Sequence, residues 1–550
     1  MTVTYVVKDP RWKTRIGLAL LSGVLLGISF PPFPTGACAA IAFAPFFILF
    51  EDVVEYGKAL RLSYLVFLVF NLIALYWTGG FTHAKDWYLM TAGLAVLAFH
   101  PMFFWATILP FIFIRKRLGF NAAVLAFPFI WVGYDYFRSL TEYSFPWLTL
   151  GNTQTYNLAS IQIAEYTGVY GLSFWLLVLN VLLYFLATNV VRKKWGLISG
   201  KSISFALILV VVYALPHVIG NSILNRGQHA EPAEQKPLRV GIVQPNIDPF
   251  EKWTGDTEGE IALQDSMTVE AARKGAKLVL WSETAVPEGI LEPSHEDHLR
   301  MLRRLVDTLH IDLMTGMIDY LVYSTNGPYP KSSKTSVNGI RFDAFNSSLL
   351  LRWDTPQIQK YDKIHLVPYA ERVPYSEFLS FLNAMQWNFG IGGWGIGKDT
   401  AIFTIRDSTG ISRSFANMIC YESIYPDFVR QFVLRGAQFI TVITNDSWWG
   451  NTSGAYQHKQ YGILRAIENR RWVVQCANGG ISCIIDPYGN IMRQTDMYSR
   501  TVMTGDIYPR SDVTFYTKHG DMVPQFCLAI TGVFLLGGMF TVKRKKNIPT

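Results

Sequence analysis

A chain of 550 residues is long enough for two or more domains with a large core. It is 50% hydrophobic, 15% aromatic and only 16% charged, whereas soluble globular chains carry about 25% charged residues, so the composition favours a membrane protein. The net charge of +8 is no nucleic-acid footprint, because many basic residues flank apolar segments, as in "RKR" at 115–117 and "RKK" at 192–194, instead of lining one folded face.

Seven apolar spans are predicted in the first part of the chain, over 15–31, 37–52, 59–78, 89–114, 120–139, 160–190 and 202–220. Their cores approach or exceed the roughly 20 apolar residues needed to cross a bilayer. The second is short and contains Pro45; the fourth contains His100-Pro101, where a kink is expected. A basic start followed by "TGACAA" imitates a secretory leader, but "IAFAPFFILF" follows at once, so Cys38 reads as an ordinary membrane residue. An eighth span, "VPQFCLAITGVFLLGGMFTV", precedes the basic "KRKK".

Lys and Arg recur at every second junction: Lys8 to Arg15, Lys58 and Arg61, Arg115 to Arg117, Arg192 to Lys201, and 543–546. The remaining loops hold little beyond Lys85 and Arg138. The positive-inside rule then puts both termini in the cytoplasm and residues 221 to 520 outside it. Asp135 and Arg138, at an outer helix end, are expected to pair with each other.

The expected divisions are a membrane domain over 1–220, a polar linker over 221–235, an α/β domain over 236–510, and a last span with a cytoplasmic tail over 511–550. In the α/β domain, β-type runs such as "LRVGIVQPN", "KLVLWSE", "RSFANMIC" and "FITVITND" alternate with helical stretches. One of these, "SHEDHLRMLRRLVDTLH", has an expected cap at Ser294. His295 and His298 in it lack zincin spacing and read as solvated helix-face residues. The five cysteines show no metal spacing, and Cys476 and Cys483 are expected to be free thiols.

Three residues stand out chemically. Cys420 ends a strand-like run before Pro426, a residue that starts helices well, and a thiol at such a turn is expected to have a lowered pKa. Glu283 ends the apolar strand "LVLWSE", where partial desolvation suits a general base. Lys363 in "YDKIHLVPYAERVP" suits oxyanion stabilisation, with Glu371 eight residues on. Separately, each has a bland alternative: a buried inert thiol, a strand-end cap, a solvated surface charge.

Together, "WSETA", "YDKIHLVPYAERVP" and "ICYES", in the order Glu, Lys, Cys, resemble the carbon–nitrogen hydrolase (nitrilase) superfamily, and "TNDSWWGNTSGAYQH", "ENRRWVVQCANGGIS" and "DPYGN" extend the match. With "YSFPWLTLGNTQ" and the flanking spans, the whole chain is similar to the apolipoprotein N-acyltransferases. The resemblance implies an αββα sandwich domain on a polytopic helical membrane domain of about eight spans. It implies a catalytic triad of Glu283, Lys363 and Cys420, supported by Glu371, Tyr421 and Glu422. It adds Trp253, and Trp387, Trp394, Asn445 and Trp448 are further candidates for substrate binding. A phospholipid would donate an acyl chain to Cys420 as a thioester, and the α-amine of a diacylglyceryl-modified apolipoprotein would accept it. The implied setting is the bacterial inner membrane, with a single copy acting and no metal, cofactor or nucleic acid called for.

Residues 385–399, "MQWNFGIGGWGIGKD", could form a lid at the bilayer surface. The sequence departs from the family wording at "TFYTKHGD" and in a longer polar insertion over 321–342. Two other classes compete: a membrane-tethered amidase or nitrilase discharged by water, which leaves eight spans unexplained, and a non-catalytic scaffold or transporter, which should show broken or charged helices at the bilayer midplane.

Overall fold

The computed structural model describes residues 11–80, 87–227, 236–253, 256–324, 327–331, 333–336, 338–378, 393–407 and 409–541. Among these, five helices are long and apolar enough to cross a membrane: Tyr56–Ala74, Trp87–Leu118, Ala164–Val191, Gly200–Gly227 and Met522–Phe540. Trp12–Ile28 and Phe120–Ser139 join the same bundle. The fourth span divides at Phe104, three residues past Pro101, into Trp87–Phe103 and Trp105–Leu118.

The stretch 37–52 is not a continuous span. It forms the short turn Gly36–Ala40 and the helix Phe43–Phe50, whose eight residues rise only about 12 Å. That helix is a core element. Phe43, Phe46, Phe47 and Phe50 are all fully buried, with Phe43 edge-on to Trp131 at 4.9 Å and Phe46 against Phe50 at 4.5 Å. A second correction concerns Arg138. It is held by His100 Nε2 at 2.7 Å and Tyr143 O at 3.5 Å, and His100 Nδ1 lies 2.9 Å from the Asn71 amide. A buried guanidinium needs acceptors, and the kinked helix supplies one across the bundle in place of Asp135. A third concerns the linker, since the helix Gly200–Gly227 runs seven residues into it.

Residues 238–507 form two facing sheets. The first has the strands β1 (Leu238–Gln244), β2 (Leu278–Leu280), β3 (Asp312–Val322), β4 (Lys334–Thr335), β5 (Arg341–Arg352) and β6 (Thr355–Asp362), with β13 (Thr501–Ile507) at its edge, in the order β13-β1-β2-β3-β5-β4 and with β6 also on β5. The second has β7 (Phe403–Arg406), β8 (Ser412–Ile419), β9 (Phe439–Thr444), β10 (Val473–Ala477), β11 (Cys483–Ile485) and β12 (Ile491–Gln494), in the order β12-β11-β10-β9-β8-β7. Strands β1, β2 and β3 are parallel, as are β8, β9 and β10.

Alternation along the strands separates two apolar layers. Leu278, Leu280, Met314 and Leu350 pack with Met418, Val442 and Val474 between the sheets. Their neighbours Val279, Leu313, Leu349 and Leu351 pack with Ile261, Leu302 and Val306 of the outer helices Thr257–Arg273 and Glu296–Leu309. The result is an αββα sandwich. Ser294 is not the cap of Glu296–Leu309; it lies in the turn Pro293–His295, and His295 occupies the cap position.

On the second sheet lie the helices Pro426–Leu434 and Ser453–Asn469. The latter is buried on nearly all sides because the membrane bundle covers its outer face. Its polar residues find partners there: Gln457 accepts from the indoles of Trp147 (2.6 Å) and Trp77 (3.1 Å) and donates to Pro31 O (2.8 Å). Glu468 accepts from Val169 N at 2.9 Å, and just past the helix Arg470 pairs with Glu165 at 2.7 Å. Buried polar groups paired across a boundary fix the two halves against each other.

Candidate active site

Glu283, Lys363, Cys420 and Asn445 all follow strand ends, after β2, β6, β8 and β9. Parallel strands deliver such residues to one edge of the sandwich, outside the carboxyl ends. Glu283 is the hub: its Oε1 accepts from Asn346 Nδ2 (2.7 Å) and Lys363 Nζ (3.1 Å), and its Oε2 from the backbone N–H of Asn445 (3.1 Å). Lys363 also donates to Glu371 Oε1 at 2.8 Å, and Val367 N donates to Glu371 Oε2 at 2.7 Å. A buried cation between two carboxylates is thus fully paired, as burial of charge demands.

These contacts set the charges. Burial alone would raise the Glu283 pKa, but Lys363 and the Asn346 amide outweigh it and hold the carboxyl below its ordinary range. Burial opposes the charge on Lys363, yet Glu283 and Glu371 hold its pKa well above the usual lysine value. For Cys420 the balance reverses. Burial and the Glu283 carboxylate push the thiol well up, against the pull of Lys363. The lowered thiol pKa expected from the turn is therefore not found: burial beside the Glu283 carboxylate favours the neutral thiol.

Cys420 lies in the left-handed region, at φ 53°, a conformation costly for a side-chain-bearing residue and common where a site needs it. The short helix Cys420–Ile424 begins there, and the N–H groups of a first turn lack intrahelical acceptors. Tyr421 N–H is one of them. The Tyr421 side chain points to the bundle, donating to Ser144 O at 3.0 Å and stacking on Trp147. Glu422 accepts from Tyr361 OH (2.6 Å) and from the N–H groups of Ile364 (2.7 Å), His365 (3.2 Å) and Ile419 (2.9 Å). It clamps the Lys363 loop to the cysteine loop. Burial pushes its carboxyl up to about 7.

The tryptophans and Asn445 are spread more widely. Trp253 is exposed beside buried Lys252, whose Nζ donates to Glu283 O at 3.0 Å. Trp448 packs edge-on to Phe250 at 5.2 Å. The Asn445 side chain accepts from Ser447 Oγ at 2.9 Å, so only its backbone meets Glu283. Trp394 is half-buried, and its N–H donates to Glu371 O at 3.1 Å. Trp387, with residues 385–392 of the expected lid, lies outside the described residues. The described remainder is bonded down, with Gly395 N donating to Ala344 O and Gly397 N to Lys363 O, both at 2.8 Å. Only glycine fits at 397, where a Cβ would sit 1.9 Å from Asp362 O.

Asn346, Lys252, Ser423, Asp446 and His458 also surround the site, and no spacing in the sequence marks them. His458 sits in the quoted "TNDSWWGNTSGAYQH", but no local pattern links it to Cys420 thirty-eight residues earlier. Ligand atoms of Cys420, Asp446 and His458 lie within 4.8 Å of one another, a spacing that could hold a metal ion. Both histidine nitrogens already face protein partners, Asp446 Oδ1 at 2.9 Å and Ser423 Oγ at 2.8 Å.

A two-sheet sandwich with Glu, Lys and Cys at one edge, joined to membrane helices, defines a membrane-borne carbon–nitrogen hydrolase domain. Residues 239–514 match the family model "Carbon-nitrogen hydrolase", and residues 22–182 match "Apolipoprotein N-acyltransferase N-terminal domain". The chain is 36% identical to the apolipoprotein N-acyltransferase of Chlorobaculum tepidum, over 94% of this chain and 95% of that one. It is 31% identical to that of Geobacter metallireducens (93% of each chain) and 25% identical to that of Haemophilus influenzae (96% of each). The chain belongs to the apolipoprotein N-acyltransferase family.

Proposed function

We propose that the protein moves a fatty acyl chain from a membrane phospholipid, through a thioester on Cys420, to the α-amine of the N-terminal diacylglyceryl-cysteine of an apolipoprotein. The observation that carries this reading is the buried Glu283–Lys363 pair, 3.1 Å apart, at the strand-end edge where Cys420 also lies.

In the first half-reaction Glu283 takes the Sγ proton as sulfur attacks the ester carbonyl. The tetrahedral oxyanion is stabilised by Lys363 and the Tyr421 N–H. Collapse breaks the C–O bond, and Glu283 returns the proton to the departing alkoxide, releasing lysophospholipid. In the second half the acceptor amine attacks the thioester, Glu283 takes a proton from nitrogen, and the C–S bond breaks. Glu283 passes that proton to the departing sulfur, so the thiol is restored and the product is an amide. Dividing ester aminolysis into two such steps makes each easier.

Glu371 and Glu422 hold Lys363 and its loop in this scheme, and the exposed Trp253 and half-buried Trp394 are the described tryptophans offered to the lipid chains. The Lys and Arg pattern supports a catalytic domain outside the cytoplasmic membrane with both termini inside. The competing amidase reading uses the same triad but gives no role to a membrane bundle that grips the nucleophile loop through Ser144. Intact mass spectrometry of a diacylated lipopeptide, after incubation with protein and phospholipid, tests the proposal. A gain of one acyl chain supports it, and release of free fatty acid alone overturns it.

A further inference from the structure

A buried chain of side chains stands behind the nucleophile. Asp446 Oδ1 accepts from Thr444 Oγ1 (2.8 Å) and lies 2.9 Å from His458 Nδ1. His458 Nε2 lies 2.8 Å from Ser423 Oγ and 3.2 Å from the carbonyl oxygen of Cys420. Ser423 Oγ donates to that same oxygen at 2.8 Å. Asp446, His458 and Ser423 are 0%, 1% and 4% exposed, so water is kept away from the arrangement.

Two features give it a direction. The carbonyl of Cys420 and the N–H of Tyr421 belong to one planar trans peptide unit, so they point opposite ways. Fixing the oxygen on the His458 side therefore fixes the N–H on the other. Second, the loop after β9 serves both ends of the site: Asn445 N–H donates to Glu283 Oε2 at 3.1 Å, and the next residue, Asp446, anchors His458.

We propose that Asp446, His458 and Ser423 are positioning residues that hold the Cys420 carbonyl and thereby aim the Tyr421 N–H at the oxyanion formed during acyl transfer. This inference rests on the thioester reading above, in which that N–H is an oxyanion donor. It differs from an ordinary core network in one respect: only reactions that build an oxyanion on the substrate depend on it.

The test compares two reactions of Cys420 in the full-length protein in detergent. One is acyl-enzyme formation from phospholipid, followed by intact mass in a single turnover. The other is alkylation by iodoacetamide, read by peptide mass at Cys420, which displaces iodide and needs no oxyanion donor. Loss of an oxyanion donor costs roughly 10²–10³-fold in rate, so His458→Ala is expected to slow acylation about 10²-fold and Ser423→Ala about tenfold. His458→Gln, whose amide N–H can reach the same carbonyl, recovers most of the loss. Alkylation stays within about twofold of the parent rate in all three, which also shows that the site is folded. Acylation at the parental rate in Ser423→Ala and His458→Ala overturns the proposal, and so does an equal fall in both reactions. A parent protein that alkylates but forms no acyl adduct overturns the thioester reading itself, and the positioning role with it.

Discussion

Tyr421 donates its phenolic hydrogen to the carbonyl oxygen of Ser144 at 3.0 Å, tying the residue after Cys420 to a loop between two membrane helices. The Ser144 hydroxyl lies 2.5 Å from Tyr425 OH, and Phe145 and Trp147 stack along the Tyr421 ring. The Cys420 loop is therefore held from the bundle side as well as from its own sheet. Tyr421→Phe removes one hydrogen bond, worth about 1 kcal/mol, and should leave the melting temperature near the parent's and transfer activity within about fivefold. Tyr421→Ala also removes the aromatic stack and should abolish transfer. Parental activity and melting temperature in both variants would show that the bundle contact does not matter.

Glu283→Gln keeps the shape of the hub but removes the proton acceptor. General-base catalysis contributes typically 10²–10⁴-fold, and acyl-enzyme formation should fall within that range while a lipopeptide still binds. Single-turnover mass spectrometry measures the first, and equilibrium binding the second.

Lys363 is 1% exposed between two carboxylates. Lys363→Met leaves Glu283 and Glu371 facing each other without a cation, which should cost about 3–5 kcal/mol of stability. The double variant Lys363→Met/Glu371→Gln should recover part of that loss without recovering activity. Denaturation midpoints in detergent give the comparison.

The pH dependence follows from the direction of the Glu283 shift. Its folded pKa lies below the ordinary 4.5, so the stabilisation of the ionised pair is present above the unfolded value and is lost as pH falls through the folded one. Acyl-enzyme formation should stay level through neutral pH and fall only below 4.5. In Asn346→Ala, which removes a hydrogen bond to the charged form, the acid limb should move upward.

Gly397→Ala should damage the site from behind, because its Cβ would meet Asp362 O at 1.9 Å and its N–H holds Lys363 O. Gly57→Ala, with nothing within 4 Å, is the control in a membrane helix. A clear drop in melting temperature is expected for the first and little change for the second.

Much of this was legible in the residues themselves. Apolar length announced the bundle, strand-like runs ending in Glu283 and Cys420 announced the sandwich, and the wording around Lys363 brought the three together. What was not legible depends on contacts distant in sequence. The stretch 37–52 has the composition of a span, but its phenylalanines are used to fill the bundle's centre. Arg138 finds His100, thirty-eight residues away, where spacing suggested Asp135. The strand-to-helix turn suggested an acidic thiol, whereas full burial beside a carboxylate produces the opposite. Asn346 and His458 carry no local mark, since the contact of the first with Glu283 and those of the second with Asp446 and Ser423 exist only once distant parts of the chain have packed.

The most direct test of the account is the mass of the protein itself after exposure to a phospholipid of known acyl chain, without acceptor. The expected result is a hydroxylamine-sensitive gain of one acyl group, mapped to Cys420, absent from Cys420→Ala and discharged on adding a diacylated lipopeptide. An adduct that forms equally on Cys420→Ala, or one that the lipopeptide cannot discharge, would contradict it.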